Sequence, residues 1–152
     1  MAVGFVAGPA SAAAGAPSEA GVQPVEIPFP GGGPVCAAGE TPLRVEETTF
    51  VPGTVVYDIP GDGTVSITVV GTGSNQTFSF SVNGEMAART VYAKGGTNQN
   101  RYDYDAAHGF PNGISSDALL HAPVNAQNGQ YFALSHIDFC FIPSPYNGGG
   151  TA

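Results

Sequence analysis

Basic residues are scarce in this chain. Four Lys and Arg stand against twelve Asp and Glu, which gives a formal net charge of −8. A nucleic-acid-binding surface needs a cluster of basic side chains to neutralise phosphates, and an anionic membrane surface attracts the same kind of cluster. The composition therefore excludes nucleic acid as a partner and disfavours binding to an anionic membrane surface.

A long apolar run is also missing. No stretch reaches the roughly eighteen residues that a membrane-spanning helix requires, so we expect no membrane span. Residues 1–16 are small and apolar, and Ala10-Ser11-Ala12 has the form of a signal-peptidase cleavage site. This segment fits the end of a signal peptide that lacks its basic region, and it fits a flexible Ala/Gly tail equally well.

Only two cysteines are present, Cys36 and Cys140. A disulfide between them would close a loop of about 105 residues and tie the first strand of the folded part to the last. A disulfide persists only in an oxidising compartment, so the pair indicates an extracellular or cell-surface location. Two separate buried thiols in a cytosolic protein are the alternative.

Proline divides the chain into segments. Residues 17–35 contain five prolines, a density that prevents helix and favours extended backbone. We interpret this segment as an extended strap or linker, in which the apolar side chains of residues 22–29 can bury against a sheet. Residues 36–142 then form one domain, and residues 143–152 form a flexible tail.

Within residues 36–142, β-prone segments and turn sequences alternate about every twelve residues, as in antiparallel sandwiches and barrels. The predicted strands cover residues 43–50, 54–59, 64–70, 76–82, 89–94 and 131–142. Asn83-Gly84 predicts a hairpin between the fourth and fifth of these strands. The last strand is apolar on both faces, which is typical of a central strand. We therefore predict an all-β fold, a jelly-roll-like antiparallel β-sandwich with its first and last strands joined by the disulfide.

Four motifs in the second half carry a resemblance. They are Lys94-Gly95-Gly96, N-x-Y-x-Y at 100–104, S-D-x-x-L-H-x-P-x-N at 116–125 and S-H-x-x-F-C at 135–140. Together they resemble exported bacterial and archaeal β-sandwich domains of cell surfaces and secreted proteins, over residues 36–142. The resemblance implies a secreted sandwich with the two cysteines bridged, and it implies no catalytic residues.

The region 95–130 is rich in Gly, Asn, Asp and His and contains two candidate binding sites. Asp103, Asp105 and Asp117 are candidate calcium ligands, because hard cations prefer carboxylate oxygens. The spacing does not complete an EF-hand loop, so a solvated acidic loop is the alternative. Tyr102, Tyr104 and His121 form a candidate platform for a glycan, with packing inside the sandwich as the alternative.

The motif Ser135-His136 invites a comparison with hydrolases. Adjacent residues of a strand point to opposite faces, so we expect no nucleophile–base pair between them. His136 and Asp138 are predicted to be structural, with His136 hydrogen-bonded to Asp117 or to the backbone of residues 95–130.

Two residues are candidates for covalent modification. Asn75 begins a glycosylation sequon in a predicted turn, Asn75-Gln76-Thr77. Lys94 is the only lysine, and it lies close to several Asn residues in the sequence. It is therefore a candidate for an intramolecular isopeptide bond, although a solvated lysine at a strand end explains the same sequence.

These observations favour a non-enzymatic structural or interaction protein outside the cell. An extended apolar strap can add as a strand to the open sheet edge of a neighbouring copy, and repetition of that contact would build a filament. The alternative is a small glycan- or calcium-binding module that uses residues 95–130 as its site.

Overall fold

The computed structural model describes residues 14–144, which fold into two antiparallel β-sheets and confirm the predicted sandwich. The strands in this part of the chain are β1 (Val25–Pro28), β2 (Thr41–Glu46), β3 (Gly53–Asp58), β4 (Thr64–Val70), β5 (Thr77–Asn83), β6 (Met86–Gly95), β7 (Asn98–Asp103), β8 (Ser116–Leu120) and β9 (His136–Pro143). A short 3-10 helix covers Ala106–His108. Over the same residues, no helix has the length and apolar character needed to cross a membrane.

Five strands form the first sheet, in the order β1-β7-β6-β9-β2, and four form the second, in the order β3-β4-β5-β8. The sheets form because the strands alternate in polarity. In β4, for example, Val65, Ile67 and Val69 are buried in the core, whereas the residues between them face outward. Side chains of a strand point alternately to its two faces, so this pattern places one face of the strand against the other sheet.

The last strand is central, as predicted. β9 lies between β6 and β2, and both of its faces are buried. Ile137 and Phe139 belong to the hydrophobic core between the sheets. Asp138 and Cys140 lie on the outer face and are buried as well, because residues 29–36 cross that face.

The predicted hairpin at Asn83-Gly84 is wrong. The chain crosses there from β5 in the second sheet to β6 in the first. β5 already pairs with β4 on one side and β8 on the other, so it has no free edge for β6. A tight two-residue hairpin occurs instead between β6 and β7, where Gly95 pairs with Asn98.

The strap lies on its own domain. β1, which is part of the strap, pairs with β7 of the same chain from Val25–Arg101 to Pro28–Asn98. Val22 is buried in the hydrophobic core. Residues 22–28 are therefore occupied within the chain, and they are not a detached strand that is available to a neighbour.

The disulfide between Cys36 and Cys140 is present, with an S–S distance of 1.99 Å. Cys140 lies in β9, and Cys36 lies in the segment between β1 and β2. The bond thus ties the strap to the outer face of the central strand.

Removal of this disulfide should destabilise the fold strongly. The cysteines are 104 residues apart, and the chain-entropy model assigns a loop of that size about 4 to 5 kcal/mol. We expect the double variant Cys36→Ala/Cys140→Ala to lose roughly that free energy of unfolding in a guanidinium titration. Reduction of the unmutated protein is the matched control and should give a similar loss. A loss below about 1 kcal/mol in both would contradict the expected role.

Candidate functional site

Residues 14–22, which we call the N-terminal segment, lie along the β7–β8 side of the sandwich. Buried polar side chains hold this segment in place, directly or through one another, and all of them come from the sequence motifs. We call them the anchoring network: Asn100, Tyr102, Tyr104, Asp117 and His121.

Asp117 is the acceptor at one end of the network. Its carboxylate accepts hydrogen bonds from the Tyr104 hydroxyl at 2.7 Å and from the backbone N–H groups of Ala20 at 2.9 Å and Ala118 at 2.7 Å. The backbone N–H of Glu19 also donates to the carbonyl of Ala118 at 2.9 Å. The N-terminal segment therefore covers the outer edge of β8.

His121 holds the other end of the segment. Its Nε2 lies 2.8 Å from the carbonyl oxygen of Ala16, and its Nδ1 lies 2.8 Å from that of Ala122. The ring stacks on Tyr131 with centroids 3.7 Å apart. Gly15 lies against this pair, since an added Cβ would come within 2.4 Å of His121 Cε1 and 3.0 Å of Tyr131 Cε1. Burial lowers the pKa of His121 below its ordinary value of 6.5.

Asn100 and Tyr102 complete the network. The Asn100 amide donates to the carbonyls of Ala14 at 2.8 Å and His121 at 3.0 Å. The Tyr102 hydroxyl accepts from the backbone N–H of His121 at 2.9 Å and lies 3.2 Å from its carbonyl oxygen. Burial raises the pKa of Tyr102 and of Tyr104, so both phenols stay protonated and keep their donor role.

The predicted ligand platform of Tyr102, Tyr104 and His121 is therefore not formed. All three side chains are buried, where a glycan cannot reach them. Tyr102 lies in β7 and Tyr104 directly follows it, and both side chains point into the sandwich. His121 instead contacts the carbonyl of Ala16 in the N-terminal segment, and the two tyrosines bond to His121 and to Asp117, which hold that segment.

The candidate calcium ligands do not form a cluster in the described part of the chain. Asp103 pairs with Arg101 at 2.9 Å, and Asp105 accepts from His108 Nδ1 at 2.6 Å, which lowers the pKa of Asp105. Asp117 is occupied by the N-terminal segment. Within residues 14–144, the one group of three potential metal ligands is Cys36, Glu40 and Cys140, and its two sulfurs form the disulfide. Calcium binding stays a prediction without geometric support.

Ser135 and His136 are in contact, contrary to the expectation from strand geometry. Ser135 Oγ lies 3.1 Å from His136 Nδ1, because β9 begins only at His136 and Ser135 precedes the regular strand. His136 Nε2 lies 3.3 Å from the Glu46 carboxylate. The predicted partner of His136 was Asp117 or the backbone of residues 95–130. Glu46 and His136 are register partners of β2 and β9, so ordinary cross-strand pairing explains this contact.

Asp138 forms an ion pair with Arg44 of the neighbouring strand β2. It is buried on the outer face of β9, and the Arg44 guanidinium donates to both of its oxygens, at 3.0 and 2.8 Å. Burial raises the pKa of Asp138, and the hydrogen bonds from Arg44 oppose that rise. The ring of Phe29 lies 5.0 Å from Arg44 and covers this pair.

The two candidate modification sites are placed differently. Asn75 lies in an exposed turn, and its side-chain oxygen accepts from the backbone N–H of Tyr131 at 2.9 Å. Glycosylation there stays a prediction. Lys94 Nζ donates to the carbonyl of Gly96 at 2.8 Å and lies 4.8 Å from the centroid of the Phe29 ring. These contacts are with groups that cannot form an isopeptide bond.

The opposite side of the sandwich has an open edge. β3 is the outer strand of the second sheet, and residues 14–144 provide no backbone hydrogen bond to its free side. Val55 and Val56 are 51% and 59% exposed. Asp58, the last residue, is the only charged residue of this strand. An uncovered apolar edge is a ready template for pairing with another strand.

The other three edges are protected. β1 is only four residues long and ends at Pro28. β2 carries Pro42 and Arg44. β8 is covered by the N-terminal segment, and its register with β5 shifts between Phe78 and Phe80. Short length, proline, charge, irregular pairing and a covering segment all block strand addition, so β3 stands apart from the other edges.

A groove runs along the inner side of β3, where the two sheets separate. We call it the β3 groove, and its apolar lining is Phe50, Val51, Val55, Tyr57, Ile67 and Val69. On the outer face, Val70 is exposed next to the same edge. Four of the seven exposed large hydrophobic residues that the structure describes are thus at this edge or beside it: Val51, Val55, Val56 and Val70.

Sequence reasoning missed both the anchoring role of the network and the open edge. One signal for the edge is present in the sequence: Val55 and Val56 are adjacent, so a strand that contains them is apolar on both faces. Gly15 offered no comparable signal, since its contact with His121 depends on a fold that brings residues 106 positions apart together.

Comparison of this chain with models of known protein families, with curated proteins and with solved structures gave no match.

Substitution of Gly15 should loosen the N-terminal segment. Gly15 and Gly21 both have positive φ, +98° and +91°, but only Gly15 has side chains close to the position of a Cβ. We expect Gly21→Ala to cost about 1 to 2 kcal/mol of stability from backbone strain, and Gly15→Ala to cost roughly 1 to 3 kcal/mol more from the clash with His121. Urea titrations of both variants measure the difference, and equal losses would refute the close contact.

Acid should destabilise the fold through His121. The pKa of His121 is lower in the folded chain than in the unfolded chain, so the unfolded chain binds the proton more readily. Stability therefore falls as the pH drops below 6.5, by up to about 1.4 kcal/mol for each pH unit. We expect His121→Gln to remove that part of the loss between pH 7.5 and 5, as followed by urea titration at each pH. Parallel pH profiles for the two proteins would contradict it.

Proposed function

We propose that this protein is an extracellular or cell-surface structural subunit, without enzymatic activity, that assembles with further copies through the open edge of β3. The observation that carries the proposal is the exposure of an apolar edge strand in a sandwich whose other edges are all protected. Exposed apolar patches of this kind are typical of protein–protein contacts.

The disulfide supports the compartment. A bond between Cys36 and Cys140 is stable outside the reducing cytosol, and it secures the strap on the central strand. The scarcity of charge at β3 supports the contact itself, because the strand carries only Asp58, at its end, and the groove beside it has one further charged residue, Glu47.

A substitution on β3 tests assembly. Val55 lines the groove and is half exposed, so Val55→Lys introduces a charge at the contact with little cost to the fold. We expect the unmutated protein to form large particles and Val55→Lys to weaken self-association by roughly 100-fold, from lost burial of the valine and desolvation of the new charge. Light scattering over a concentration series, with negative-stain electron microscopy, measures this.

Val35→Lys is the matched control, because Val35 is a valine of similar exposure, 63%, that lies on the strap. We expect this variant to assemble like the unmutated protein. Assembly of Val55→Lys at the unmutated level would refute the contact. A monomeric unmutated protein whose melting temperature rises with calcium or a glycan would instead favour the binding-module alternative.

A further inference from the structure

We infer that the occupant of the β3 groove is residues 2–8 of a second copy of this chain, paired with β3 as an added strand. This inference rests on the proposed function and identifies the partner segment. Residues 22–28 cannot supply that segment, since β1 is paired with β7 of its own domain.

The composition of residues 2–8 fits an added edge strand with one bulky apolar face. The sequence AVGFVAG has no charged residue, and the chain has none before Glu19. In an extended strand, Val3, Phe5 and Ala7 share one face, while Val6 lies on the other. The face with Phe5 is the bulkier one.

The two faces of β3 differ in the same way as the two faces of residues 2–8. Val55 and Tyr57 point into the groove, opposite Ile67 and Val65 of β4, whereas Val56 points to the outer surface. An added strand would therefore place Val3 and Phe5 over the apolar lining of the groove. Val6 would lie beside Val56 on the outer face.

The chain already closes the other side of its sandwich in a comparable way. The N-terminal segment covers the edge of β8 with small residues in extended and turn backbone, and Val22 fills the core beneath it. A segment of similar composition, seven residues long, would close the β3 side of a neighbour.

Distance favours a second copy over the same copy. Ala14 is fixed beside the end of β8 by Asn100, and a strand outside β3 lies four strand spacings from β8, about 19 Å in a straight line. The six residues from 9 to 14 span at most about 22 Å when fully extended. The straight line passes through β4 and β5, so a path around the sheet is longer than that reach.

This geometry produces an open assembly. The donor segment leaves from the β8 side, and the acceptor groove lies on the β3 side of the same sheet. A contact between two different surfaces repeats without closing unless the rotation happens to form a ring, so copies add head to tail. The expected product is a filament with one strand donated at each junction.

Substitutions in the donor segment test the inference in the full chain. We expect Phe5→Asp to weaken self-association by about 30-fold or more, because a carboxylate replaces the side chain that fills the groove. Val6→Asp is the matched control on the outward face, and we expect a loss of less than about threefold. Thermal melting of each variant confirms that the disulfide-linked domain is folded.

A mixture of two variants tests whether residues 2–8 of one copy bind the β3 groove of another. Phe5→Asp keeps an intact groove and a defective donor, whereas Val55→Lys keeps an intact donor and a defective groove. We expect an equimolar mixture to form one-to-one heterodimers and nothing larger, as measured by sedimentation velocity. Neither variant alone should form dimers at the same concentration.

The remaining outcomes overturn the inference in distinguishable ways. If Val55→Lys abolishes assembly while Phe5→Asp does not, β3 is the contact but residues 2–8 are not the donor, and the proposed function survives. The same conclusion follows if the mass of the native secreted chain shows that it begins after Ala12. If neither substitution affects assembly, both the inference and the proposed function fail.

Discussion

The structure depends on the buried hydrogen bonds that hold residues 14–22 against β8. The Asp117 carboxylate and the His121 ring lie in the interior, where a polar group without partners costs several kcal/mol. The N-terminal segment supplies those partners, namely the N–H of Ala20 and the carbonyl of Ala16. The N-terminal segment and the anchoring network therefore stabilise each other. In this arrangement the N-terminal segment covers the edge of β8.

The two sides of the second sheet differ, because the N-terminal segment covers the β8 side and leaves the β3 side open. The β8 side is sealed by backbone and side-chain hydrogen bonds, whereas the β3 side exposes Val55 and Val56 over an apolar groove. Hydrogen bonds fix register and direction, and apolar burial supplies most of the free energy of association. A sandwich with one edge sealed by its own chain and one edge left apolar is suited to accept a strand on one side only.

The sequence predicts the strands better than their partners. β4 begins and ends where the alternation of valine and isoleucine with polar residues predicted, and β9 is central as its apolar character indicated. The hairpin predicted at Asn83-Gly84 was wrong because turn preferences are local. They contain no information on whether β5 already pairs with two other strands. The motif residues correctly converge on one place, but their role could not be read, since Ala14 and Ala16 contribute only backbone carbonyls. Every residue has a backbone carbonyl, so the residue type does not show which carbonyl accepts a hydrogen bond.

The buried motif residues also limit what the motifs imply about function. Polar residues gathered from distant positions of a chain often mark a ligand site. Here Asn100, Asp117 and His121 direct their polar groups at the N-terminal segment of the same polypeptide. They form a binding site for a peptide that is already in place, namely the chain's own N-terminal segment. The exposed apolar edge of β3 is a part of the described surface that the chain does not cover in this way.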